Sequence, residues 1–99
     1  MLVRLHVVID TEDTGIEEEI KEQLRSYCPD LSFSPSREQP SLMNCMEFYS
    51  TVQLEKEQAE TLRQTLNNDW DGEFDDCDAY GFNTIMFHPH VYYLQFQIQ

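Results

Sequence analysis

The first ten residues constrain the fold more than any other stretch, because apolar side chains recur there at every second position. The alternating apolar residues are Val3, Leu5, Val7 and Ile9. The alternate positions between and after them include Arg4, His6 and Asp10. Successive side chains of a strand point to opposite faces of a sheet, so this pattern predicts a strand with one buried face. That face must be covered by a second layer of the structure.

Two later segments change to the spacing of a helix. The first follows Thr14-Gly15-Ile16-Glu17, a pattern typical of a capping box at a helix start. Its apolar side chains recur every three or four residues up to Cys28. The next residue, Pro29, cannot continue a helix, so the helix is predicted to end there. The second has apolar positions spaced three, four and four apart, at Ala59, Leu62, Leu66 and Trp70. Both patterns predict amphipathic helices.

The remaining apolar segments favour strands. Leu31 and Phe33 predict a short strand that Pro35 closes, and residues 34–41 predict a loop. Alternation returns from Leu42 to Val52. Residues 84–99 are also typical of strand, with a break at Pro89, where the parity of the apolar residues changes.

The predicted order is therefore strand, helix, strand, strand, helix, strand. This order predicts an α+β fold of the ferredoxin-like βαββαβ kind, with two helices on one face of an antiparallel sheet. Residues 1–99 are expected to form a single domain. The uncovered face of the sheet is predicted to carry Arg4, His6, Val8, Cys45, Glu47, Tyr49 and Tyr93. Such a fold hosts many functions and decides none of them.

Charge excludes some of those functions. The chain has 19 acids and 6 bases, a formal net charge of −13, which repels phosphate backbones and anionic lipids. We therefore expect no direct binding of nucleic acid or membranes. The three cysteines have no paired spacing, which fits a reducing, cytoplasmic location. No nucleophile or phosphate-binding motif is present, so we expect no enzyme activity and no cofactor.

The acids are concentrated in two segments. Residues 10–22 hold seven acids and one lysine, and residues 69–78 hold six acids and no base. These segments predict a small non-enzymatic interaction module for a basic protein, acting as a regulator or as an inhibitor that mimics nucleic acid. The predicted partner-binding residues are Glu17, Glu18, Glu22, Asp69, Asp71, Glu73, Asp75, Asp76 and Asp78.

Two alternatives stay open on the sequence alone. One is a regulatory domain that forms a homodimer and binds a small ligand, which the mixed uncovered face favours. The other is a weak calcium loop over residues 67–78, because oxygen-bearing side chains fall at calcium-ligand spacing, with Gly72 at the sixth position. Its ligands would be Asn67, Asp69, Asp71, Asp75 and Asp78. His88 and His90 have a spacing that can chelate a metal, although flanking a proline kink is the favoured interpretation.

Overall fold

The computed structural model describes all 99 residues, which form seven strands and two helices. In chain order these are β1 (Leu2–Ile9), α1 (Thr14–Tyr27), β2 (Ser32–Phe33), β3 (Arg37–Glu38), β4 (Met46–Gln53), α2 (Lys56–Leu66), β5 (Asp71–Glu73), β6 (Asp76–Tyr80) and β7 (Val91–Ile98). Neither helix has the length and apolar character that crossing a membrane requires.

All seven strands belong to one antiparallel sheet. Their order is β2-β4-β1-β7-β6-β5, and β3 also pairs with β4. The predicted α+β class, with an antiparallel sheet and two helices, is confirmed. The exact four-stranded βαββαβ arrangement is not confirmed, because the sheet has seven strands and differs from it in strand order. Strands β3 and β5 carry no apolar side chain and β6 has too few for a period, so no apolar alternation predicted these short strands.

One face of the sheet carries the core. The alternating apolar side chains of β1 are fully buried, as are Phe48 of β4 and Phe96 of β7, which lie beside them. Ile20 and Leu24 of α1 belong to the same cluster of 17 buried residues, together with three apolar residues of α2. Both helices therefore cover this face of β1. The opposite face, here called the open face, has no helix packed on it.

The ends of α1 follow from local chemistry. The Asp13 carboxylate accepts hydrogen bonds from the backbone amides of Gly15 and Ile16, at 2.8 and 3.2 Å. Asp13 is thus the N-cap, and the cap predicted at Thr14 lies one residue too late. An aspartate is a strong capping residue because its oxygen satisfies amides that the first turn leaves free. The helix ends at Tyr27, as the following proline predicted.

Helix α2 is shorter than the apolar spacing predicted. It ends at Leu66, and Trp70 lies beyond it. The Trp70 indole N–H donates to the carbonyl of Arg63 at 2.8 Å, and its ring centroid lies 6.0 Å from that of Phe96. The chain after the helix therefore folds back and returns Trp70 to the core, which gives it helical spacing without helical structure.

The segment before β7 is not a strand. The prediction that strand structure begins at Thr84 is wrong, since residues 81–90 form turns and bends and β7 begins at Val91. Ile85, one of the apolar residues behind that prediction, is 93% exposed. The buried Asn67 side chain holds the segment in place by donating to the Ile85 carbonyl at 3.3 Å.

Candidate functional site

The acidic stretch 67–78 folds mainly as a β-hairpin. Strands β5 and β6 pair directly, and Phe74 and Asp75 form the turn between them. Gly72 has φ +118°, and a Cβ there would lie 2.6 Å from the Asp76 carbonyl oxygen, so this position requires glycine. The Phe74 ring lies 6.2 Å from Phe96 between centroids and anchors the turn to the core.

Pairing in the hairpin sets acids directly opposite one another. Asp71 pairs with Asp78, and Glu73 pairs with Asp76. Asp78 is also in register with Gln95 of β7, and Gln95 with His6 of β1, which places these acids on the open face. We call Asp71, Glu73, Asp76 and Asp78 the hairpin acids. Like charges directly opposite on paired strands are destabilising, so the fold holds them together against their repulsion.

No base of the chain neutralises the hairpin acids. None of them lies within 4.0 Å of a Lys, Arg or His nitrogen. Their side-chain contacts are neutral: the Tyr93 hydroxyl donates to Asp78 at 3.3 Å, and the Gln95 amide donates to Asp76 at 3.3 Å. Four formal negative charges therefore face solvent on one small part of the sheet.

The acids of α1 differ from the hairpin acids. Glu17 forms an ion pair with Lys21 at 2.9 Å, while Glu18 and Glu22 both pair with Arg25. Two bases on the same helix thus contact all three predicted partner-binding residues there and offset two of their three charges. Both acidic segments were predicted to bind a partner, but the predicted residues of α1 contact a base and the hairpin acids do not.

Of the two other predicted partner-binding residues in this segment, one lies in the hairpin turn and one lies before β5. Asp75 is exposed in the turn and belongs to no ion pair. Asp69 precedes β5, and its carboxylate accepts a hydrogen bond from the Thr84 hydroxyl at 3.1 Å. Asp75 can therefore extend the acidic surface, whereas Asp69 takes part in holding the 81–90 segment.

The five predicted calcium ligands do not form a loop around a common centre. The Asn67 side chain is buried, and its oxygen accepts from the Asp69 amide at 2.7 Å. Asp71 and Asp78 lie on paired strands, and Asp75 is in the turn beyond them. No group of three or more His, Cys, Asp and Glu side chains is placed to hold a metal ion. Weak calcium binding stays a prediction for titration.

The three histidines lie in two places. His88 and His90 have ring centroids 5.8 Å apart, but each faces a different acid: Glu19 at 3.8 Å and Asp10 at 2.7 Å. These contacts tie the 81–90 segment to the residue that follows β1 and to the middle of α1. His6 lies on the open face, where Glu47 is its partner. The histidines therefore do not converge on one site.

Glu47 is a buried charge on the open face that internal partners satisfy. It is 2% exposed and accepts hydrogen bonds from His6 at 2.8 Å and from Arg37 at 2.6 Å. Burial alone would raise the pKa of Glu47, but the hydrogen bonds from His6 and then Arg37 outweigh it and lower the pKa. Arg37 of β3 is also in register with Glu47 of β4, so this ion pair joins the two strands. This group stabilises the sheet and leaves no free charge for chemistry.

Aromatic side chains border the hairpin acids on the open face. The Tyr80 ring lies 5.0 Å from Tyr93 and 5.2 Å from Phe82 between centroids. Phe82 is 71% exposed, and Tyr93 contacts Asp78 directly. Burial raises the pKa of Tyr93, which keeps its hydroxyl protonated as a donor to Asp78. The sequence pattern predicts Tyr93 on this face but not Tyr80 and Phe82, because the polar residues of β6 do not indicate a strand.

A groove of about 450 Å³ lies between the end of α1 and the exposed side of α2. Its lining includes Tyr27, Cys28, Glu57 and Thr61. Burial raises the pKa of the Cys28 thiol, so Cys28 is a weak nucleophile. No Lys, Arg or His lines the groove, and no group of three His, Cys, Asp or Glu side chains there is placed to hold a metal ion.

Comparison of the chain with protein-family models, curated proteins and solved structures found no match.

Proposed function

We propose that this protein is a non-enzymatic interaction module that presents the hairpin acids to a basic surface of another protein. The observation that carries the proposal is the pairing of Asp71 with Asp78 and of Glu73 with Asp76, with no base in contact. Such pairs lower stability when the protein is alone, and a basic partner would relieve their repulsion.

The sheet gives these acids a fixed spacing. Residues two apart on a strand lie about 6.6 Å apart, and neighbouring strands lie about 4.8 Å apart, so four carboxylates form a small rigid array. A rigid array of negative charge suits a basic groove that otherwise holds nucleic acid. The proposed module is therefore a regulator of its partner or an inhibitor that competes with nucleic acid for the same groove.

Charge-matched variants test the proposal. One carries Asp71→Asn, Glu73→Gln, Asp76→Asn and Asp78→Asn. The control removes the same charge from exposed acids elsewhere, with Glu12→Gln, Glu38→Gln, Glu57→Gln and Glu60→Gln. Each is used as bait in extracts of the native host, at low and high salt, and captured proteins are identified by mass spectrometry. We expect the wild type and the control to retain basic proteins at low salt, and the hairpin variant to lose them.

Two results would contradict the proposal. Equal losses in both variants would show that net charge, and not the hairpin, governs binding. Capture of only neutral or acidic proteins would exclude a basic partner. Where a partner is recovered, displacement of labelled DNA or RNA from it by the wild type distinguishes an inhibitor that mimics nucleic acid from another kind of regulator.

The proposal also covers the fold and the cellular location, and one second candidate function stands beside it. The ferredoxin-like arrangement describes the inner scaffold, with the β5–β6 hairpin as an addition beyond β7 that carries the binding surface. The module is proposed to act in the cytoplasm, which three free cysteines support. A homodimer that pairs through the sheet and binds a small ligand at that interface is the second candidate, and the mixed polar and aromatic open face supports it.

A further inference from the structure

Resting on the proposed function, we propose that the open face binds an arginine-containing segment of the partner protein. The guanidinium group would lie against the exposed ring of Phe82, with Asp78 and Asp71 as its carboxylate partners. The surface concerned is defined by Tyr80, Phe82, Tyr93, Asp71 and Asp78, and is here called the aromatic–acidic patch.

The patch joins a group of aromatic rings to neighbouring carboxylates on the same face of the sheet. Tyr80 of β6 is in register with Tyr93 of β7, and Asp78 precedes Tyr80 by two residues, so all three share the open face. Phe82 follows at the end of β6, where its ring lies beside that of Tyr80. Phe82 is 71% exposed, and its ring neighbour Tyr80 lies two residues along β6 from Asp78, a carboxylate with no base in contact.

The chain supplies no cation to this patch. Five of its six bases are occupied elsewhere. Arg4 lies over Tyr49 at 4.2 Å, and Arg63 lies near the rings of Trp70 and Phe74. The other three, Lys21, Arg25 and Arg37, pair with glutamates. The sixth, Lys56, begins α2. The charge that complements the patch must therefore come from another molecule.

Arginine fits this combination better than lysine does. Its planar guanidinium can lie on an aromatic face while its N–H groups donate to carboxylates, and it is less strongly hydrated than an ammonium group. An extended segment with arginine at alternate positions would direct successive guanidinium groups to the same face.

Two synthetic peptides test the inference: alternating arginine–serine and alternating lysine–serine, of equal length and charge. Their affinities for the wild type, Phe82→Leu and Ile85→Ala are measured by fluorescence anisotropy at low and high salt. Phe82→Leu removes the ring from an exposed position, and Ile85→Ala is the control because Ile85 is apolar, 93% exposed and on the same segment. We expect the wild type and the control to bind the arginine peptide about two- to fivefold more tightly than the lysine peptide, and Phe82→Leu to bind both equally.

The possible failures are distinguishable. Salt-sensitive binding of both peptides with equal affinity by the wild type overturns the arginine inference and leaves the proposed function standing. An arginine preference that survives Phe82→Leu also overturns the inference. No binding of either peptide contradicts both proposals. A dimer in sedimentation at micromolar concentration that Phe82→Leu dissociates shows that a second copy occupies the patch, and overturns the inference too.

Discussion

Asp71→Asn together with Glu73→Gln removes one acid from each opposed pair of the hairpin, so this double variant should be more stable than the wild type. Directly opposite side chains on antiparallel strands have Cβ atoms about 5 Å apart. Two unit charges at that distance in water repel by about 0.8 kcal/mol. Screening reduces this value at ordinary salt, and the partial burial of Asp78 increases it.

For the two pairs together we expect a gain of about 1 kcal/mol. In a domain of this size, that raises Tm by about 4–8 °C. The gain should largely disappear at about 1 M salt, where the screening length is about 3 Å and shorter than the distance between the charges. Thermal unfolding followed by circular dichroism at low and high salt measures both quantities.

The matched control is Glu38→Gln with Glu60→Gln, which makes the same change in net charge at exposed residues that belong to no ion pair. We expect this control to change Tm by much less. An equal rise in both variants would refute the argument from opposed pairs, because the overall charge would then explain the gain. A fall in Tm for the hairpin variant would show that these acids stabilise the fold.

The remaining predictions concern other groups. Because hydrogen bonds lower the pKa of Glu47 in the folded protein, its contribution to stability is present above its ordinary pKa of 4.5 and is lost as pH falls through the folded value. Glu47→Gln should therefore cost about 1–2 kcal/mol at neutral pH and progressively less in acid, as urea unfolding across that range measures. Calcium and magnesium should raise Tm slightly and equally, by screening alone; a calcium-specific gain near 2.7 kcal/mol at a hundred times Kd would instead establish a calcium loop. The three buried cysteines, whose thiol pKa values burial raises, should react with a thiol reagent only slowly until denaturant is added, and rapid reaction in the native protein would contradict the packing.

The sequence predicted those parts of the fold in which apolar residues repeat at regular spacing over a long segment. The alternation from Val3 to Ile9 predicted β1 and its buried face, and the helical spacing after Asp13 predicted α1. Three residues predicted for the uncovered face lie there, because His6 pairs with Tyr49 and Val8 pairs with Tyr93 across the strands. In each case the burial of one face determines the structure, and burial leaves a period in the sequence.

The hairpin lacked that signal. Strand β5 is Asp71-Gly72-Glu73, with no apolar side chain, and all three residues are exposed. Pairing with β6 forms it, and β6 is fixed by Cys77 and Ala79, whose buried side chains are too few to show a period. The sequence shows that acids are concentrated in this stretch, but only the register shows that they oppose one another. Likewise, the pairing of the α1 acids with Lys21 and Arg25 is visible only once the helix faces are known.

The central claim is that the hairpin acids, and not the acids of α1, contact a basic partner. Carbodiimide cross-linking, which joins carboxylates to lysines in direct contact, tests this when applied to the complex recovered from the native host. Peptide mapping by mass spectrometry then identifies the carboxylates that were joined. We predict cross-links from Asp71, Glu73, Asp76 and Asp78 to partner lysines; cross-links confined to Glu17, Glu18 and Glu22, or spread evenly over both segments, would contradict the claim.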